Sequence, residues 1–170
     1  YFGDIAPGGP LAKRDAWAPK MSAPARDTMQ DRVAQTRIMR AWVAPQSTAR
    51  AADELGLFAR VLGQGKTSRL FQRLVLKDQL VSSVAAYQYG LEIAGLFMIQ
   101  ADLKPGVDAA KVEAIIDEEL AKLVATGPDP ANADDQVLGP APVPRITRMP
   151  EGVEVREQPL GRGEAEFLLA

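Results

Sequence analysis

The amino-acid sequence predicts an α+β fold, with helices packed on one face of a mostly antiparallel sheet. Three observations carry that expectation. Residues 31–42, 80–89 and 93–103 read as extended strands. Three other stretches carry apolar residues at helical spacing, the clearest ending near Thr126. A hydrophobic fraction of 46% in 170 residues is enough for one sizeable core.

Taken in order, residues 1–28 are rich in proline, alanine and glycine. Gly8-Gly9-Pro10 breaks regular structure there, so the stretch reads as a connector. In residues 31–42, Ala34, Ile38 and Trp42 fall on one face, while Arg37 and Arg40 weaken the alternation. Pro45 ends the strand, because proline lacks the ladder donor. Ser47 or Thr48 can then cap a helix carrying Ala52, Leu55, Phe58 and Leu62, which Gly63-Gln64-Gly65 stops. Thr67 or Ser68 can cap a shorter helix with Leu70, Phe71, Leu74 and Val75 on its buried side. After the strand at residues 80–89, the next places Phe97, Ile99, Ala101 and Leu103 on one face. Pro105-Gly106 makes a turn, and Asp108 is a good N-cap for a third helix. Its stripe is Val112, Ile115, Ile116, Leu120, Leu123 and Val124, with Glu118 and Lys122 paired on the wet side. Gly127-Pro128 terminates it. Residues 131–144 hold further prolines and no periodicity, so they read as linker. Residues 145–158 resume short β-like runs around a hairpin turn at Pro150-Glu151-Gly152, and Phe167 opens one more strand.

Composition narrows the function. The chain has no histidine and no cysteine. Zinc is normally held by imidazole or thiolate, and general acid–base work near neutral pH most often uses histidine. The chain is therefore expected to perform no hydrolysis by itself, with no catalytic and no metal-ligating residue of its own. A net charge of -2 and a pI near 5.3 make no electrostatic case for nucleic acid. No apolar run approaches the roughly 20 residues of a membrane span. The N-terminal Tyr1-Phe2-Gly3-Asp4-Ile5 lacks the regions of a signal peptide and reads as the middle of a longer polypeptide.

Several features invite sharper readings. Gly63-Gln64-Gly65-Lys66-Thr67 suggests a phosphate loop, but the required glycine five positions before Gly65 is Arg60, and a helix precedes it instead of a strand. A helix stop followed by a capped helix explains the run. Asp117-Glu118-Glu119 lies on the polar face of an amphipathic helix, and Asp134-Asp135 lacks the spacing of a calcium loop. Trp42 is expected in the sheet core beside Ile38; Trp17 lies in the connector. Arg69 and Arg73, four apart on a short helix, are expected on a solvated face.

An ordered set of segments then resembles a known family. Tyr1-Phe2-Gly3-Asp4-Ile5 and Gln30-Asp31-Arg32-Val33-Ala34-Gln35 come first. They are followed by Gly63-Gln64-Gly65-Lys66-Thr67-Ser68-Arg69-Leu70-Phe71-Gln72-Arg73-Leu74-Val75. Gly95-Leu96-Phe97, Lys104-Pro105-Gly106-Val107-Asp108 and Gly127-Pro128 complete the order. Together they are similar to the C-terminal, non-catalytic half of the M16 zinc metallopeptidases, the family of pitrilysin, insulinase and mitochondrial processing peptidase. The similarity covers residues 1–130. It implies a half-shell of the M16/LuxS-like metallohydrolase type, in an enzyme whose other half carries H-x-x-E-H, a downstream glutamate ligand and Zn²⁺. That other half would be a separate domain or subunit, and the substrate an unfolded peptide.

The resemblance also implies site residues. Many members carry an arginine and a tyrosine on the non-catalytic half that touch substrate. In the register set by Ser68-Arg69-Leu70 those positions are Val75 and Ser82, which supply neither the charge nor the phenol. Tyr87 and Tyr89 share one side of a strand, from which one reaches toward the inter-half cavity; Val75, Ser82 and Tyr87 are thus the expected substrate-facing set. Where the family continues into another helix after Gly127-Pro128, residues 129–144 are proline-rich, so the half reads as truncated. Residues 145–155 resemble the opening hairpin of another M16 half. An internal deletion and an altered reading frame or segment boundary both suit that arrangement. Dimerisation and a periplasmic location fit the resemblance. The rival reading is a diverged M16 half that acts as a structural scaffold without proteolysis, and a third is a non-functional fragment.

Overall fold

The computed structural model describes residues 17–127, positions 3, 4, 6, 8–12 and 15 before them, and strand Glu164–Phe167. Its elements are β1 (Asp27–Gln30), β2 (Arg37–Ala44), α1 (Arg50–Gly63), a π-helical segment (Phe71–Lys77), β3 (Val81–Tyr89), β4 (Gly95–Leu103), α2 (Ala109–Thr126) and β5 (Glu164–Phe167). They build one sheet in the order β1-β5-β2-β4-β3. β4 is its hub, antiparallel to β2 from Arg37↔Asp102 to Ala44↔Gly95 and to β3 from Val81↔Leu103 to Tyr89↔Leu96. β5 runs antiparallel to β1 and parallel to the start of β2. The expected α+β class is the observed one.

Alternation decides which face of the sheet is covered. Ile38, Trp42 and Ala44 of β2 point to the same side as Phe97, Ile99, Ala101 and Leu103 of β4 and Val84 and Ala86 of β3. All are buried under α1, the π segment and α2. Phe97 is the centre of this layer. Its ring lies 5.7 Å from Trp42 and 5.8 Å from Phe58, tilted by 52° and 58°, the offset geometry that aromatic quadrupoles favour.

Arg40 also points to the covered face. It is only 4% exposed, and its Nη1 donates to Asp117 Oδ1 on α2 at 2.5 Å, while its guanidinium sits 5.6 Å from the Trp42 ring centroid. The break in alternation at this residue is thus an ion pair clamping α2 onto β2.

Several sequence expectations shift. Strand β2 begins at Arg37 instead of Asp31, because β4 ends at Leu103, whose N–H donates to the Thr36 carbonyl at 2.8 Å. The connector shortens as well, since β1 starts at Asp27. Neither Ser47 nor Thr48 caps α1; the N-cap is Ala49, whose side chain makes no capping bond. Ser47 is held elsewhere, its N–H donating to the Leu91 carbonyl at 2.9 Å. The second helix is π-helical, with Asp78 N–H bonded back five residues to the Arg73 carbonyl at 2.9 Å. Ser68 does not cap it: the hydroxyl donates backwards to the Gly65 carbonyl at 2.8 Å.

Arg69 and Arg73 also depart from expectation. Arg69 Nη2 donates to the Gly127 carbonyl at the end of α2 (2.9 Å), and Arg73 pairs with Asp78 (2.7 Å) and with Glu118 of α2 (3.8 Å). Arg73 fastens the π segment, and Arg69 the turn just before it, to α2. Asp108 caps α2 as expected, accepting from Ala110 N–H at 3.1 Å, and Gly127 ends it with φ 71°. The linker, the hairpin turn at 150–152 and the division near Pro130 lie outside the described residues.

Candidate functional site

The sheet face turned away from the helices is the candidate site. Register arranges it in four rows across β2, β4 and β3: Arg37–Asp102–Ser83, Met39–Gln100–Ala85, Ala41–Met98–Tyr87 and Val43–Leu96–Tyr89. Three of the four rows are mainly apolar, and most of their side chains are half-buried, with Tyr89 55% exposed. Charge is confined to the first row, with Gln100 and the two tyrosine hydroxyls the polar groups of the others.

That row is tightly tied. The Arg37 fork donates to both oxygens of Asp102, Nε at 2.6 Å and Nη2 at 3.3 Å. Ser83 Oγ donates to Asp102 Oδ2 at 2.6 Å. Burial pushes the Asp102 carboxyl upward, but the bonds from Arg37 and Ser83 outweigh it and hold the group below its ordinary 3.8. Arg37 is raised in turn, chiefly by its bond to Asp102, with a lesser electrostatic contribution from Tyr87. A carboxylate so engaged is a poor proton acceptor at neutral pH. The face offers shape, apolar contact and one fixed ion pair.

The three expected substrate-facing residues separate. Tyr87 lies on the open face, half-buried, opposite Met98. Ser82 is at the bulge that opens β3, its hydroxyl directed toward Gln35 Oε1 (3.1 Å) and the Asp102 carbonyl (3.2 Å). Val75 packs against the hydrophobic core on the helix side, so the sheet stands between it and Tyr87. Sequence reasoning missed Arg37, Asp102 and Ser83 as a unit. Arg37 and Asp102 are 65 residues apart, and only the β2–β4 register brings them together.

The family described as the peptidase M16 inactive domain matches residues 1–137. The chain belongs to that family. Among solved structures, this M16 inactive domain is similar to a protease from Helicobacter pylori, with 25% identity and a TM-score of 0.53 over 55% of this chain and 22% of that one. An M16 inactive domain from Pseudomonas fluorescens shares the fold at a TM-score of 0.57 and 20% identity, over 74% of this chain and 32% of that one. The chain thus spans less than half the length of either structure. No curated protein matches it.

Zinc, which the family implies, does not fit the residues present. The sequence has no histidine or cysteine, and no group of three or more Asp or Glu able to hold a metal occurs among the described residues.

Proposed function

We propose that this chain is the substrate-enclosing, non-catalytic half of an M16-type zinc metalloendopeptidase acting on unfolded peptides. The zinc and the H-x-x-E-H segment belong to another domain or subunit. The observation that carries this reading is the open sheet face: a broad, largely apolar wall whose one carboxylate is already neutralised by Arg37, in a chain of the inactive-domain family. Such a wall contributes by positioning an extended peptide and keeping water from the cavity once the halves close. Tyr87 is assigned the direct peptide contact. Ser82 borders the polar end of the wall, and Val75 acts through packing beneath β3. A periplasmic setting belongs to the same reading.

The test is co-purification with the partner half, followed by zinc analysis and peptide cleavage with each component alone and with both. Expected are zinc and cleavage in the assembly, and neither in this chain alone. Cleavage by the partner at the same rate with or without this chain would remove the enclosing role.

One observation favours a scaffold without proteolysis: the two positions where many relatives present an arginine and a tyrosine are an inward-packed Val75 and a hydrogen-bonded Ser82. An assembly that forms but contains no zinc-motif partner would select that reading.

A further inference from the structure

The polar side chains on the open face of β2, β4 and β3 fall into two sets. In the first row Asp102 is engaged by Arg37 and Ser83, so the carboxylate and the guanidinium of that face satisfy each other. The other three rows carry no charge, and their polar groups are the Gln100 amide and the hydroxyls of Tyr87 and Tyr89. None of these three side chains makes a hydrogen bond among the described residues.

Gln100 holds the central position. It lies on β4, the middle strand of the three, between Met39 on β2 and Ala85 on β3, and it is half-buried. Its amide nonetheless reaches the surface, unlike that of Gln88, whose two polar atoms are both shielded. Tyr87 stands diagonally from it, one strand over and one row down, at roughly 7–8 Å. Tyr87 also acts electrostatically on Arg37, two rows away, in keeping with a phenol that leans toward the Gln100 row. A side-chain amide presents donors and an acceptor together, the complement of a backbone peptide group, and the phenol can add one more of either.

Charge and size select the occupant. A lysine or aspartate laid on these rows would lose water and meet no opposite charge, because Arg37 and Asp102 already pair at 2.6 Å. Apolar side chains meet Met39, Met98, Leu96 and Val43. Methionine adapts to many shapes, so no particular apolar residue is demanded. The three uncharged rows run about 14 Å along strands whose combined width is about 10 Å. That patch suits about four extended residues and falls well short of the roughly 800 Å² that each partner of a stable dimer buries.

We propose that Gln100, with Tyr87 beside it, binds a backbone peptide group of an extended, uncharged stretch of polypeptide laid on the open face. Side chains of that stretch are selected for lack of charge and fill the space over Met39, Met98 and Leu96. That the stretch is a protease substrate rests on the enclosing-half reading; the contact itself rests on the face alone.

The test is titration of the full chain with a capped heptapeptide, Ser-Thr-Val-Ala-Leu-Thr-Ser, followed by NMR through labelled methionine methyls and the Gln100 side-chain amide. Met39, Met98 and the Gln100 amide should shift with peptide, while Met21, outside the sheet, stays fixed. Asp or Lys in place of the central Ala should weaken binding about tenfold or more. Gln100→Leu should weaken it about fivefold. N-methylation of the central peptide group should cost the wild type a similar factor and Gln100→Leu little more, a coupling that a merely structural glutamine would not show. Unmoved signals at Met39 and Met98 overturn the proposal, as does Gln100→Leu binding as tightly as wild type. So do shifts without peptide that grow with protein concentration, which would assign the face to a second copy. If the signals stay fixed while the partnered assembly still cleaves peptides, the Gln100 assignment fails and the enclosing role stands. If they move as expected while no assembly cleaves, the contact stands and proteolysis falls.

Discussion

Helix α1 contains two glycines, and the same substitution at each should move stability in opposite directions. Around Gly56, an added methyl would meet nothing within 4 Å. Gly56→Ala should therefore gain only the reduced chain entropy and better helix propensity, about 0.5–1 kcal/mol. At Gly63, the last residue of α1, the methyl would stand 2.6 Å from Ala86 N and 2.8 Å from Ala86 Cβ. The first of these is backbone inside a paired strand, so α1 must lift from β3. Overpacking of this kind costs roughly 1–3 kcal/mol. Set against a propensity gain of up to about 1 kcal/mol, Gly63→Ala should lose about 0.5–2 kcal/mol. Urea unfolding monitored by circular dichroism measures both variants, with equal m-values required for the comparison. A Gly63→Ala protein as stable as Gly56→Ala would refute the close approach of α1 to β3.

Three further outcomes follow from buried and half-buried polar groups. Asp102 is held below its ordinary value in the folded protein, so its contribution is fully present above the unfolded aspartate range and is lost as pH falls through the folded pKa. The stability gap between wild type and Asp102→Asn should be about 0.5–1 kcal/mol near neutrality and close in acid, read by denaturation at stepped pH; a gap that widened in acid would contradict the sign. Arg40 is buried while the Asp117 side chain is 58% exposed, so the two halves of their ion pair are unequal. Asp117→Ala strands a buried guanidinium and should cost about 2–3 kcal/mol, whereas Arg40→Met releases a carboxylate into water and should fall within about 1 kcal/mol of wild type. Equal losses in thermal melts would count against that asymmetry. Gln88→Met removes an amide with no partner and should stabilise by about 1 kcal/mol; destabilisation of that size would show that the amide is satisfied after all.

Much of the architecture was legible from periodicity. β4 alternates strictly, β3 does so after the irregularity at its start, and α2 carries both a strong stripe and the Asp108 cap, so both strands and the helix fall close to their expected bounds. What failed was set by tertiary partners. The start of β2 depends on where β4 stops, and a seven-residue π segment cannot be told from an α-turn by spacing alone. Arg40 read as a defect in a strand pattern because its partner, Asp117, lies on a helix 77 residues away. The candidate site was the least legible part. Tyr87 was placed on a strand but not on a face, and the Arg37–Asp102–Ser83 row exists only through register. The family resemblance, by contrast, needed only ordered local segments, and these survive in sequence without any knowledge of pairing.

Peptide hydrolysis by purified components decides the matter most directly. This chain, alone and supplied with Zn²⁺, should release no product from an unfolded peptide, whereas mixing it with a subunit bearing H-x-x-E-H should raise turnover above that subunit's own rate, and a chelator should abolish it. Chelator-sensitive cleavage by the isolated chain would contradict the non-catalytic assignment at its root.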